Sequence, residues 1–157
     1  MYNKLVRLEV MKTLSKEVGG FIDKYLTPVE KIWQPSDFLP NPSSDDFKHD
    51  LEEIQTFAHE MEYDVFVTLI GDCITEEALP SYESWIMGID GVEQEDRQNT
   101  WAQWVRNWTA EENRHGDLLN KYLYLCGRVN MREMEITTQY LIQDGFDLGT
   151  SMDPYRN

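Results

Sequence analysis

The sequence is poor in several residue types, and each shortage excludes something. It has two cysteines in 157 residues. Cys73 and Cys126 fall in helical patterns and neither belongs to a Cys-x-x-Cys pair. That excludes a disulfide framework and a cysteine-rich zinc module, and predicts small buried thiols in a reducing compartment. Basic residues are scarce, 14 against 29 acidic, and the charge of −15 argues against a nonspecific nucleic-acid binder, which needs a basic footprint. No apolar run approaches the length of a membrane span, so a soluble protein is expected. The opening residues MYNKLVRLEVMK lack both the apolar run of a signal peptide and the Ser/Arg-rich character of a transit peptide, so no targeting peptide is visible. Repeats, low-complexity tracts and Gly/Ser linkers are missing, and strand alternation is nowhere convincing.

What remains is an aromatic, helical chain. Hydrophobic residues make up 41% and include five Trp and eight Tyr, enough for one domain over residues 1–157 with a real core. Mixed spacing of three and four from Leu5 to Phe21 predicts a helix over 4–25. Thr27-Pro28-Val29-Glu30 reads as a second helix start, with Thr as N-cap and Pro at the first position. Prolines 35, 40 and 42 then impose an ordered, extended connector. A polar helix is expected over about 44–60, and a long one over about 62–88 ending at Asp90-Gly91. Another long helix covers about 98–126 and stops at Gly127, a suitable left-handed cap. A last one starts at Asn130 and reaches about 144.

The chemistry lies where charge interrupts apolar stripes. In the 98–126 helix, Trp101, Trp108, His115 and Tyr122 recur every seven residues. Trp104 or Val105, then Glu111 or Glu112, then Leu118 or Leu119, then Leu125 or Cys126 fill the alternate positions. Glu112 and His115 are three apart and share a face; Glu111, four before His115, is equally allowed by spacing. In the 62–88 helix Val65, Leu69, Asp72, Cys73, Glu76 and Pro80 share a side. Pro80 cannot donate to the carbonyl of Glu76, which predicts a kink beside that glutamate. Glu76 and Glu112 each lie about 21 Å from the turn between the two helices, so an antiparallel hairpin sets them at one height. A Glu on one helix and a Glu-x-x-His on the next is half of the di-iron carboxylate site of ferritin-like bundles. Hard carboxylates with one imidazole suit iron or manganese. His49 and His59 lie in polar stretches and read as surface residues.

Three stretches carry a resemblance: PVEKIWQPSDFLPNPSSD at 28–45, GDCITEEALPSYES at 71–84, and WTAEENRHGDLLNKYLYLCGRVNMRE at 108–133. They resemble the soluble, plant-type acyl-[acyl-carrier-protein] desaturases, and the likeness covers nearly the whole chain. It implies an all-α, ferritin-like bundle in which two irons activate O2 to place a cis double bond in a fatty acyl chain on acyl-carrier protein. Electrons come from a ferredoxin-type donor. The first Glu of the family's TEEALP motif is an iron ligand, here Glu76. The second Glu and the His of EENRH are Glu112 and His115, which leaves Glu111 and Glu77 as neighbours. The same match places Thr75, Trp85 and Ile89 along the substrate channel, and Trp33 and Trp108 around the site. The family often has Met where Trp85 stands, so a changed chain-length fit is expected.

The sequence also departs from the family. Six protein ligands are needed, and this chain has no second Glu-x-x-His. The resemblance therefore covers the N-terminal part, about half of the bundle, with the second half not present. Three readings follow. The chain is part of a desaturase and inactive alone; or two copies pair and rebuild six ligands as an iron-binding or iron-oxidising homodimer; or it is a non-catalytic helical interaction module. Family membership implies plastid stroma for a plant source and cytoplasm for a bacterial one. Acyl-carrier protein and ferredoxin are acidic, so a −15 chain needs a local basic patch to meet them. Lys4, Arg7 and Lys12 are one candidate patch; Lys121, Arg128 and Arg132 are another.

Overall fold

Asn3 opens the first helix. Its side chain accepts the Leu5 N–H at 3.1 Å and caps α1, Lys4–Tyr25. The computed structural model describes residues 3–156, and every regular element in that range is helical. After α1 come α2 (Phe47–Glu60), α3 (Tyr63–Glu77), α4 (Leu79–Met87), α5 (Thr100–Cys126) and α6 (Met131–Asp144). This is the all-α class expected of an incomplete ferritin-like bundle. No helix among the described residues is long and apolar enough to cross a membrane.

Four local expectations change. Thr27 does not cap a helix: Pro28 takes that place, and only the 3-10 turn Val29–Lys31 follows. The proline connector is not extended throughout, because Pro35–Asp37 forms a second 3-10 turn. It is closed by a reciprocal box in which Asp37 accepts the Gln34 N–H at 2.8 Å. The polar helix starts at Phe47 rather than 44, since Ser44 holds a turn through Asp46 N–H to its hydroxyl at 3.1 Å. The helix expected over 62–88 is two helices. With no N–H at Pro80 for the Glu76 carbonyl, the last turn of α3 tightens. Ala78 N–H reaches both Ile74 and Thr75 carbonyls at 3.2 Å, and α4 starts afresh at Leu79. Gly127, at φ 71°, terminates α5 as expected.

The residues sort into two compact units. One holds Trp33–Leu79 and Glu111–Asp144. Its core joins Ala58 of α2, Phe66 and Cys73 of α3, Leu123 and Cys126 of α5, and Met134 of α6. Leu123 and Cys73 are fully buried, and burial of a side chain such as Leu123 contributes about 1.5–3 kcal/mol. Both thiols are free. Burial, with Glu77 and then Glu76 adding to it, pushes the Cys73 thiol up to about 12, so it stays protonated. Arg128 closes α2: it donates to the Ala58 carbonyl and, at 2.8 Å, to that of Met61, with its guanidinium over Phe66 and Tyr63. That use of Arg128 was not legible in its sequence position.

The other unit holds the residues up to Ile32, Pro80–Ala110 and those from Gly145 on. Met87, Ala102 and Val105 form its small core with Ile86 and Val92. Trp101 Nε1–H donates to the Met11 carbonyl at 2.9 Å, tying α5 to α1. Arg7 grips Asp90 with Nε at 2.9 Å and Nη2 at 2.5 Å, and Lys4 adds a contact at 3.4 Å.

Candidate metal centre

α5 presents one buried face along its whole length. Ala102, Val105, Thr109, Glu112, Gly116, Leu119, Leu123 and Cys126 recur at alternating threes and fours, all buried or half-buried. This stripe differs from the one the sequence suggests. The seven-residue series of Trp101, Trp108, His115 and Tyr122 flanks the buried line by one position. Small residues, not tryptophans, sit where backbones approach. Gly116 shows why: a Cβ there would lie 3.2 Å from the Glu76 carbonyl carbon and 3.3 Å from the Glu77 nitrogen. Any side chain there would push the α3 backbone back by a few tenths of an ångström, so glycine gives the closest approach of α5 to α3 at this level. Nothing in the spacing of WTAEENRHG assigns Gly116 that task, although a glycine inside a helix is itself a signal of close packing.

That approach brings Glu76, Glu112 and His115 together. One donor atom from each lies within 4.8 Å of the others, and all three side chains are half-buried. His115 Nδ1 is 2.9 Å from Glu112 Oε2 and 3.9 Å from Glu76 Oε2. Burial first, then the charge of Glu112, raises the Glu76 pKa; His115 opposes this and Asp72 adds to it. Two carboxylates converging on one imidazole form an anionic pocket that a cation relieves. The donor set fits a hard or borderline divalent metal, with oxygen and imidazole ligands and no thiolate. Three donors leave open positions on any such ion.

The surroundings fix the neighbours as well. Glu111 points to Arg114 in an ion pair, and Glu77 accepts from Asn120 at 2.8 Å. Neither belongs to the cluster. Trp33 stacks on His115, with centroids 5.7 Å apart and planes 8° apart. Trp33 is itself held by Arg114, which lies 4.5 Å from its ring and donates to its carbonyl at 2.5 Å, and by the edge of Phe38. The imidazole plane is thus set by packing. Thr75, next to Glu76, returns its hydroxyl to the helix at the Asp72 carbonyl, 2.9 Å away.

In the other unit Trp85 and Ile89 line an apolar cavity of about 350 Å³ with Val10, Met11, Leu14 and Trp104. Trp108 stacks in parallel on Trp104 at 6.3 Å. Most of the basic candidates are already engaged. Lys4 and Arg7 pair with Asp90, Lys121 with Asp117 at 2.7 Å, and Arg132 with Glu133 at 3.2 Å.

Comparison with known proteins agrees with this picture. A family model described as "Fatty acid desaturase" matches residues 6–157. The chain is 52% identical over 151 residues to stearoyl-[acyl-carrier-protein] 9-desaturase 2, chloroplastic, of Oryza sativa subsp. indica, covering 95% of this chain and 38% of that protein. It is 51% identical over 151 residues to the chloroplastic stearoyl-[acyl-carrier-protein] 9-desaturase of Spinacia oleracea, with the same coverage. Over 132 residues it is 57% identical to desaturase 5 of Oryza sativa subsp. japonica. The chain spans about 38% of the length of the relatives it matches over 151 residues.

Proposed function

This chain belongs to the fatty acid desaturase family, and we propose that it is part of an acyl-[acyl-carrier-protein] desaturase and contributes half of its iron site. The observation that carries this is the convergence of Glu76, Glu112 and His115 within 4.8 Å. The relatives' names supply the substrate class: stearoyl-[acyl-carrier-protein], with oxidation at one internal position of the chain. The chain's own residues divide the work. Glu76, Glu112 and His115 would hold the metal, and the Trp33 stack fixes the plane of the His115 imidazole. The chemistry that bound iron supplies is O2-dependent oxidation of an unactivated methylene pair. The cavity lined by Trp85 and Ile89 takes part of the aliphatic chain and excludes water from it. Position along an apolar chain is then set by cavity depth, because the methylenes offer no polar handle.

An acyl-carrier protein and a ferredoxin-type donor are the corresponding partners. Both are acidic, and Lys4, Arg7, Lys121 and Arg132 already face carboxylates of this chain. The relatives are chloroplastic by name, and plastid stroma is the matching location.

The test is iron content per chain on a size-resolved, anaerobically reconstituted sample, with Mössbauer spectra of the wild type and Glu112→Ala. Specific high-spin ferrous iron in a carboxylate-rich site, absent from the variant, supports the reading. Iron that binds equally to both forms sinks it.

A further inference from the structure

The last turn of α3 carries Glu76 where the helix's own hydrogen bonds weaken. Pro80 has no N–H to give the Glu76 carbonyl, and the Ala78 N–H is shared between the Ile74 and Thr75 carbonyls at 3.2 Å each. A helix end held this loosely does not fix a carboxylate by itself. α5 supplies what is missing. Glu112, Gly116 and Asn120 are four residues apart and share one face of α5. Glu112 gives a donor atom to the cluster. One turn on, Gly116 lets the backbone of Glu76 and Glu77 come close. A further turn on, Asn120 Nδ2 donates to Glu77 Oε1 at 2.8 Å. This bond is part-buried and its acceptor is a carboxylate, which makes it stronger than a bond between neutral groups. Thr75, on the other side of Glu76, spends its hydroxyl on carbonyls of its own helix, Gly71 at 3.2 Å and Asp72 at 2.9 Å. Of the two residues flanking Glu76, it is Glu77 that is bonded to α5.

We propose that Asn120 is a positioning residue of the metal centre: by holding Glu77 it sets the rotation of the last turn of α3, and with it the place of the Glu76 carboxylate. Successive residues leave a helix about 100° apart, so fixing the direction of Glu77 fixes that of Glu76. The proposal rests on the reading of Glu76, Glu112 and His115 as metal ligands. Asn120 carries no charge and stands outside that cluster. Its loss therefore reaches the metal only through Glu77.

The experiment is titration of the full chain with cobalt(II), followed by visible absorption, for the wild type, Asn120→Ala, Asn120→Gln, Glu77→Ala and the double variant Asn120→Ala, Glu77→Ala. Urea midpoints of the metal-free forms are measured in parallel. Asn120→Ala is expected to weaken cobalt binding about tenfold, the lower end of the loss for a residue that supports a ligand, and to alter the bands that report ligand geometry. Asn120→Gln keeps the amide donor and is expected to restore the wild-type bands. The double variant is expected to bind no more weakly than Glu77→Ala alone, because both changes remove one bond. Glu77→Ala breaks that bond from the other side, so the comparison survives if Asn120→Ala does not fold. Affinity and bands equal to wild type in Asn120→Ala overturn the positioning role and leave the metal site standing. Weaker binding with unchanged bands and a lowered urea midpoint overturns it too, since that marks a merely structural bond. Cobalt that binds the wild type and Glu112→Ala equally overturns the metal site, and the role of Asn120 with it.

Discussion

Two clusters in this chain use similar side chains to opposite ends. Around Asp90 the protein supplies its own cations. Burial resists ionisation there, yet hydrogen bonds from Arg7 and then Lys4, with their charges, hold Asp90 below the usual carboxylate range. Around Glu76 the anions outnumber the cations. Burial and Glu112 raise its pKa, and His115 offsets only part of this. The first cluster is complete and ties structure. The second is short of positive charge, a deficit that a bound cation would offset.

The sharpest way to break this contrast is Glu76→Gln. Loss of a ligand oxygen's charge is expected to weaken metal binding by at least about a hundredfold, more than the usual loss for a supporting residue. The same variant, metal-free, is expected to gain stability at neutral pH. A carboxyl whose folded pKa is raised contributes stability at low pH that is lost as pH rises through that value, and glutamine removes the loss. Urea melts with and without metal at neutral pH would show both effects; a metal-free variant less stable than wild type would overturn the account of Glu76.

Next in size is Arg7→Gln. Asp90 is left nearly buried without its main partner, at a cost of about 3–5 kcal/mol by urea denaturation. Asp90 titrates with the opposite sign to Glu76. Its lowered folded pKa gives stability that is present above the unfolded carboxylate range and lost as pH falls through the folded value. Asp90→Asn should therefore flatten the acid side of the stability profile, whereas Glu76→Gln alters the side toward neutrality.

Gly116→Ala is smaller. The added methyl meets the backbone of Glu76 and Glu77, so α3 must shift, costing about 1–3 kcal/mol. Metal affinity should fall with it, measured by titration, because the shift moves Glu76. The smallest effect is Lys121→Ala. Its exposed pair with Asp117 is worth less than about 1 kcal/mol, and the urea midpoint should barely move.

Much of this was legible in the sequence, and the reasons are local. Apolar spacing placed α1 at 4–25, and Gly127 gave the end of α5. Pro80 announced the break beside Glu76, though not that α3 and α4 would part fully. Spacing left Glu111 and Glu112 as alternatives; the Arg114 pair with Glu111 now shows where that side chain goes. The seven-residue aromatic series pointed to the wrong line on α5 by one position, because tryptophans are large enough to be half-buried on the flank while Gly116 takes the contact. Arg128 looked like a docking cation and is a helix cap.

By itself, then, the sequence determined the helices, their breaks and the kinds of donor available, since periodicity, proline and glycine act within a few residues. Only the tertiary structure decided which face of α5 meets α3, which glutamates converge on His115 and which cations are already neutralised. Those outcomes depend on contacts between residues far apart in the chain, where close approach and charge balance, not spacing, select the arrangement.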